Sequence, residues 1–163
     1  MPLTPRLTDP HIHPSYGITA AAEGATWPPI AEKLAASRNY WICTTRSDGA
    51  PHSKPVWGVW EDGLWFSTGS NAVTGRNLAR DPRVSVHNES GDDVVILEGR
   101  VAPRPLSEVP ASVLAAYAAK YAPFDPREGE PDPTGVWYYL APTLAHTWME
   151  NDFQNSVGRW EFD

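Results

Sequence analysis

Two Asp-Gly dipeptides, Asp48-Gly49 and Asp62-Gly63, each stand between runs of aromatic and β-branched residues, and no other feature restricts the fold as strongly. Asp-Gly between apolar runs is a strong hairpin signal, because glycine accepts the positive φ that a tight turn needs. Residues 40–45, 52–60 and 64–68 are therefore expected to form an antiparallel meander. Pro55 falls inside the second strand and has no N–H for a ladder, so that strand is expected at an edge, a bulge or a site mouth. Residues 83–87 alternate as a fourth strand, and Gly91-Asp92-Asp93 turns the chain into a fifth over 94–101. Residues 136–140 and 143–149 read as two more strands, and 159–162 as a β-like tail.

Helical spacing interrupts this pattern three times. Thr26 as a hydroxyl cap, with Pro28 and Pro29 in the first turn, leads into Ile30 and Leu34. A short helix is expected around residues 75–80, and another runs from Pro110 through Leu114, Tyr117 and Tyr121. Short strands with inserted helices make the chain mainly β and indicate a closed antiparallel barrel. A length of 163 residues suits one core. The expected organisation is an irregular, proline-bearing arm over 1–25, loose or laid across a neighbouring subunit, and a single domain over 26–163.

Charge narrows the function. Thirteen Lys and Arg against twenty Asp and Glu give a net charge of −7, the wrong sign for a nucleic-acid or anionic-membrane binder. No apolar run approaches the ~20 residues of a membrane span. Residues 1–20 lack the apolar segment of a signal peptide, and the one cysteine, Cys43, cannot form an internal disulfide. A reducing cytoplasm is the expected location.

Motifs for nucleophilic or metal chemistry are sparse. His11-Ile12-His13 with Asp9 nearby has no designated third ligand and reads as surface. Cys43 sits among apolar neighbours, away from the electropositive setting that a reactive thiol needs. Glu89, Asp92 and Asp93 read as a solvated hairpin tip. The segment from Ser67-Thr68-Gly69 to Thr74-Gly75-Arg76-Asn77 is more informative. It places hydroxyls at a strand end and free N–H groups at a helix start, an arrangement suited to phosphate, although a plain strand–turn–helix has the same spacing.

Three stretches carry a family resemblance: 48–57 (DGAPHSKPVW), 62–68 (DGLWFST) and 76–86 (RNLARDPRVSV). Together they resemble the pyridoxamine 5′-phosphate oxidase-like superfamily, and within it the flavin/deazaflavin oxidoreductase branch. Residues 89–99 and the closing Arg159-Trp160-Glu161-Phe162 are similar to one subgroup. The resemblance implies a split β-barrel homodimer with cofactor sites at the subunit interface. It implies FMN or coenzyme F(420), the 8-hydroxy-5-deazaflavin, and hydride transfer to or from a small conjugated substrate. The ring would lie along Ser53, Lys54, Pro55, Val56 and Trp57. Phosphate would be held by Ser67, Thr68, Thr74, Gly75, Arg76 and Asn77, with Trp148 and Trp160 closing over the partner's ring. No side chain is assigned as a catalytic acid, and true pyridoxamine phosphate oxidase activity is not expected. Where relatives carry a basic cluster in the phosphate loop, this chain has Ala72-Val73-Thr74. Lys54 matches the position of a phosphate-contacting arginine and is the expected compensation. The alternative is a non-catalytic or cofactor-depleted barrel that binds a flavin, haem or other planar ligand.

Overall fold

A computed structural model describes residues 3–163 apart from Gly129 and Pro131. Both Asp-Gly sites turn the chain with positive φ, 85° at Gly49, 50° at Asp62 and 129° at Gly63. They join β2 (Asn39–Thr45), β3 (Pro51–Trp60) and β4 (Leu64–Gly69) into the expected meander. β5 (Arg83–His87) lies on the other side of β2 and forms a hairpin with β6 (Asp93–Arg104). β7 (Gly135–Met149) pairs with β6 along its length and with β4 on its other edge. This closes a six-stranded antiparallel barrel, β7-β4-β3-β2-β5-β6.

The barrel is split because two strands change partners partway along. β7 pairs with β4 through Gly135 to Leu140, then through Leu144 to Thr147 with β8 (Gly158–Glu161). Among the described residues, β3 meets β4 only at Gly58, Val59 and Trp60. The rest of β3, Pro51 to Trp57, is laddered to β2 alone.

Several expectations need correction. The arm is not wholly irregular: β1 (Arg6–Thr8) pairs with β8, and Pro14–Tyr16 form a 3-10 turn. The strands expected over 136–140 and 143–149 are one strand, because a register shift between Glu98 and Gly99 absorbs Pro142. Helix α1 (Pro28–Ala36) is entered through Trp27 with no side-chain cap, so Thr26 does not serve. α2 (Val73–Arg80) starts earlier than expected. A short α4 (Phe153–Ser156) was not legible in the spacing.

Inward-facing residues of alternate positions, among them Tyr40, Ile42, Phe66, Val86, Leu97 and Leu140, fill the barrel, and α1 seals it with Trp27, Ile30 and Leu34. Each such burial stabilises by about 1.5–3 kcal/mol. α3 (Ala111–Lys120) packs outside, setting Val113 and Tyr117, with Tyr121 just beyond it, against Val59, Trp65 and Trp137. It also completes the ladder where β2 has ended. The Gly58 N–H donates to the Tyr121 hydroxyl (2.8 Å), which donates to the Arg38 carbonyl (2.6 Å), and Lys120 Nζ donates to the Gly58 carbonyl (3.0 Å).

Candidate cofactor cleft

Gly58 directs its backbone groups toward the β2 flank, so by strand alternation Trp57, Pro55 and Ser53 turn theirs to the opposite flank, where no strand is paired. Pro55 therefore sits where a ladder N–H is not required, at the edge expected for it. The side chains of Ser53, Pro55 and Trp57 lie exposed on the outer face. Lys54 and Val56 point the other way, Lys54 half-buried beside Ile42 in register and Val56 buried. Lys54 has no ion pair among the described residues.

α2 spans the gap that opens between β3 and β4. At its N-terminal end the Ala72 N–H returns to the Gly69 carbonyl (3.0 Å), fastening the helix to the end of β4. Gly75 is packed so tightly there that a Cβ would meet the Gly69 carbonyl oxygen at 2.2 Å. At the other end Asn77 Nδ2 donates to Thr44 Oγ1 (2.9 Å), and the Arg80 guanidinium donates to the Thr45 carbonyl, fastening it to β2. His52 Nδ1 lies 3.5 Å from the same Thr44 hydroxyl, which brings the start of β3 to this helix.

Ser53 to Trp57 lie along β3, Ser67 and Thr68 at the end of β4, and Thr74 to Asn77 in the first turns of α2. Three of the β4 and α2 residues face inward: Thr68 and Thr74 are buried, and Asn77 is buried and committed to Thr44. Thr74 Oγ1 is fully buried with no hydrogen-bond partner among the described residues. Arg76 is exposed and donates to the carbonyl of Asn71 in its own loop.

Of the two tryptophans expected to close over a partner's ring, one is buried in its own chain and one is half-buried on the outer face of β7. Trp160 is 2% exposed, donates from Nε1 to Thr147 Oγ1 (2.9 Å) and sits edge-on to Trp27 at 5.5 Å. It is a core residue of its own barrel, not a lid for a partner. The indole nitrogen explains this, since the inward-facing Thr147 hydroxyl offers the acceptor a buried Trp requires. Trp148 is half-buried at the far margin of the sheet, with Nε1 on Glu150 (3.1 Å).

Sequence reasoning missed the support behind Trp57. Tyr121 stacks on Trp57 at 4.5 Å and 6°, and the Arg38 guanidinium lies 5.9 Å from one ring and 5.5 Å from the other. Burial pushes the Lys120 ammonium down to about 8, and burial raises the phenols of Tyr40 and Tyr117. Tyr121 was legible only as an apolar position on a helix. Its hydroxyl matters because β2 ends one residue short of Gly58.

The fold and cleft define a split-barrel protein whose divergent strands leave a polar, partly unpaired wall. The sequence model of the family described as pyridoxamine 5′-phosphate oxidase matches residues 27–149, and the chain belongs to that family. No curated protein matches the sequence. Many solved structures share the fold. An FMN-binding, pyridoxamine 5′-phosphate oxidase-related protein of Nostoc punctiforme is 12% identical, with TM-score 0.58 over 83% of this chain and 90% of that one. An F420 reductase is 21% identical, with TM-score 0.53 over 70% and 94%. A heme binding protein of Mycobacterium smegmatis is 23% identical, with TM-score 0.60 over 82% of this chain and 55% of that one. Among the described residues no helix is long and apolar enough to cross a membrane.

Proposed function

We propose that the cleft between β3, the end of β4 and α2 binds FMN or the 8-hydroxy-5-deazaflavin, and that the protein is a homodimeric oxidoreductase acting on a small conjugated substrate. The observation that carries this reading is the coincidence of unspent polar groups: the free flank of β3, the unpaired Lys54 ammonium and the orphaned Thr74 hydroxyl. An orphaned buried hydroxyl is uncommon and marks a place where a partner is expected. These groups fit a phosphorylated ring. The first-turn N–H groups of α2, Lys54 and Arg76 would hold the phosphate, with Ser67, Thr68 and Thr74 as hydroxyl donors. Backbone groups of Ser53 and Trp57 would bond the polar edge of the ring, with the exposed Pro55 against its apolar part, while Val56 stays in the barrel core. Trp57, backed by Tyr121, would exclude water. When bound, the cofactor supplies a ring that accepts or releases a hydride, and no side chain here need act as acid or base.

A second reading is a binding protein for haem or another planar ligand without turnover. Ala72-Val73-Thr74 favours it, since two phosphate-loop cations are missing, and so does the likeness to a heme binding protein.

The absorption spectrum of the purified protein separates the two. A band at about 450 nm supports a flavin, one at about 420 nm a deazaflavin, and a Soret band haem. A colourless protein that takes up neither ring system contradicts the enzyme reading. A stable two-fold dimer buries more than about 1,000 Å². A species of 18.0 kDa on sizing at low micromolar concentration contradicts the dimer.

A further inference from the structure

α2 presents two stripes to the barrel. Asn77, with Thr74 one turn before it, faces β2. Gly75, Leu78, Ala79 and Pro82, spaced i, i+3, i+4 and i+7, form the neighbouring stripe. That stripe overlies the barrel mouth, where Val101 and Pro103 of β6 run beside Val136 and Tyr138 of β7. Between helix and strands is a cavity of about 510 Å³, and barrel mouths commonly hold small molecules. The cofactor cleft opens on the β3 edge of β4, whereas this cavity lies toward the other edge, which is laddered to β7 from Leu64 to Gly69. A further cavity of about 660 Å³ lies at the β7–β8 margin, beside His146 and Trp148 and beneath His11 and Tyr16 of the arm. It is on the outer face that the dimer reading gives to the partner subunit, and it belongs to that reading. Trp148 is ten residues along β7 from Tyr138, about 30 Å at the usual rise of a strand.

The lining of the α2 cavity defines its occupant. Among the described residues no charged side chain borders it, and its walls are Leu78, Val101, Val136 and two prolines. An ion placed there would shed its hydration with no counter-charge to meet it, so the occupant is uncharged. Tyr138 supplies the polar contact. Its side chain is 5% exposed, its ring is stacked on Phe66 at 5.4 Å and 19°, and its hydroxyl has no hydrogen-bond partner among the described residues. Unlike Thr74 Oγ1, this hydroxyl is not sealed off, and the open space that Tyr138 borders is the cavity. A buried hydroxyl without a partner marks a place where one is expected. Burial raises the phenol above its ordinary pKa, so it keeps its proton and can donate it. Tyr138 is the one aromatic residue at this cavity among the described residues, and Phe66 already takes a face of its ring. A flat aromatic compound therefore finds no ring pair to stack between, whereas a flexible chain can follow the branched aliphatic walls.

We infer that this cavity binds an uncharged, medium-chain aliphatic alcohol, whose oxygen accepts a hydrogen bond from Tyr138 while the chain lies between α2 and the β6–β7 pair. The site is independent of the flavin reading and is tested without added cofactor. Calorimetric titration with 1-octanol is compared near neutral pH with octanoate, a chain of equal length that ends in a carboxylate. The expected result is saturable 1-octanol binding at one site per chain, with octanoate at least about ten-fold weaker. Tyr138→Phe keeps the ring and its stack on Phe66, and weakens 1-octanol binding about three- to ten-fold. Ala79→Trp, at an exposed helix position outside the core, fills the cavity and abolishes binding. Lys54→Ala leaves it unchanged. Absence of saturable 1-octanol binding, octanoate binding as tight as that of 1-octanol, or affinity unchanged in either Tyr138→Phe or Ala79→Trp overturns the inference. Loss in Lys54→Ala with no loss in Ala79→Trp also overturns it, because the alcohol would then occupy the β3 cleft.

Discussion

At the β3 margin of the sheet, the cleft is made chiefly of backbone: a strand edge left bare where β4 diverges, and the first turn of α2. At the β7–β8 margin, the cavity is made of side chains, with rings and imidazoles brought together by an arm and a tail far apart in sequence. A backbone cleft tolerates sequence change and can be shared across a family, whereas a side-chain cavity is rebuilt whenever the flanking segments change.

The largest expected effect separates core from site. Trp160→Ala removes a buried ring and leaves the Thr147 hydroxyl without its donor, and should lower unfolding stability by about 3–5 kcal/mol in denaturant titration. If Trp160 instead covered a partner's cofactor, stability would hold and only ligand affinity would fall. Gly75→Ala forces a methyl against the Gly69 carbonyl and should cost about 1–3 kcal/mol, displacing the start of α2. Flavin uptake should be lost in that variant.

Thr74→Val sharpens the comparison at the scale of one hydroxyl. Valine keeps the shape and removes an unpartnered buried oxygen, so the ligand-free protein should gain about 1 kcal/mol in thermal or denaturant unfolding. Affinity for FMN should fall about five-fold. A variant that loses stability instead would show that Thr74 has a partner in the resting protein.

The smallest effect is a pH dependence beside the cleft. The Lys120 ammonium is held at about 8 in the fold, below its ordinary 10.5. Between those values the unfolded chain binds more protons, so stability should rise with pH from about 8 toward 10. The gain is about 1 kcal/mol once screening of this half-exposed group is counted. At still higher pH the trend should reverse, because Tyr40 and Tyr117 keep their protons in the fold beyond the ordinary 10.0 of a free phenol. Lys120→Met should flatten the rise, as followed by denaturant midpoints across pH.

The meander was legible because both turns carry Asp-Gly, and the exposed edge of β3 because Pro55 cannot sit inside a ladder. Trp160 was misread because residue type alone does not say which face of a strand it occupies. Register against His146 and Thr147 decides that, and it depends on a pairing between distant segments. The same long-range closure, with Arg6 reaching Glu161, hid the pocket at the β7–β8 margin. No local period links an arm to a tail. Continuity of β7 through Pro142 was illegible for a related reason: the bulged residue is Thr143, skipped between the Glu98–Leu144 and Gly99–Pro142 pairs, and only register against β6 reveals it.

Fluorescence titration of the wild type and Lys54→Ala with FMN and with the deazaflavin at low salt tests the cleft most directly. The wild type should bind at least one of the two saturably. Lys54→Ala should bind it about ten- to hundred-fold more weakly, a difference that shrinks as salt rises. Binding of neither cofactor, or affinity unchanged by Lys54→Ala, would contradict the assignment of the β3 cleft as the cofactor site.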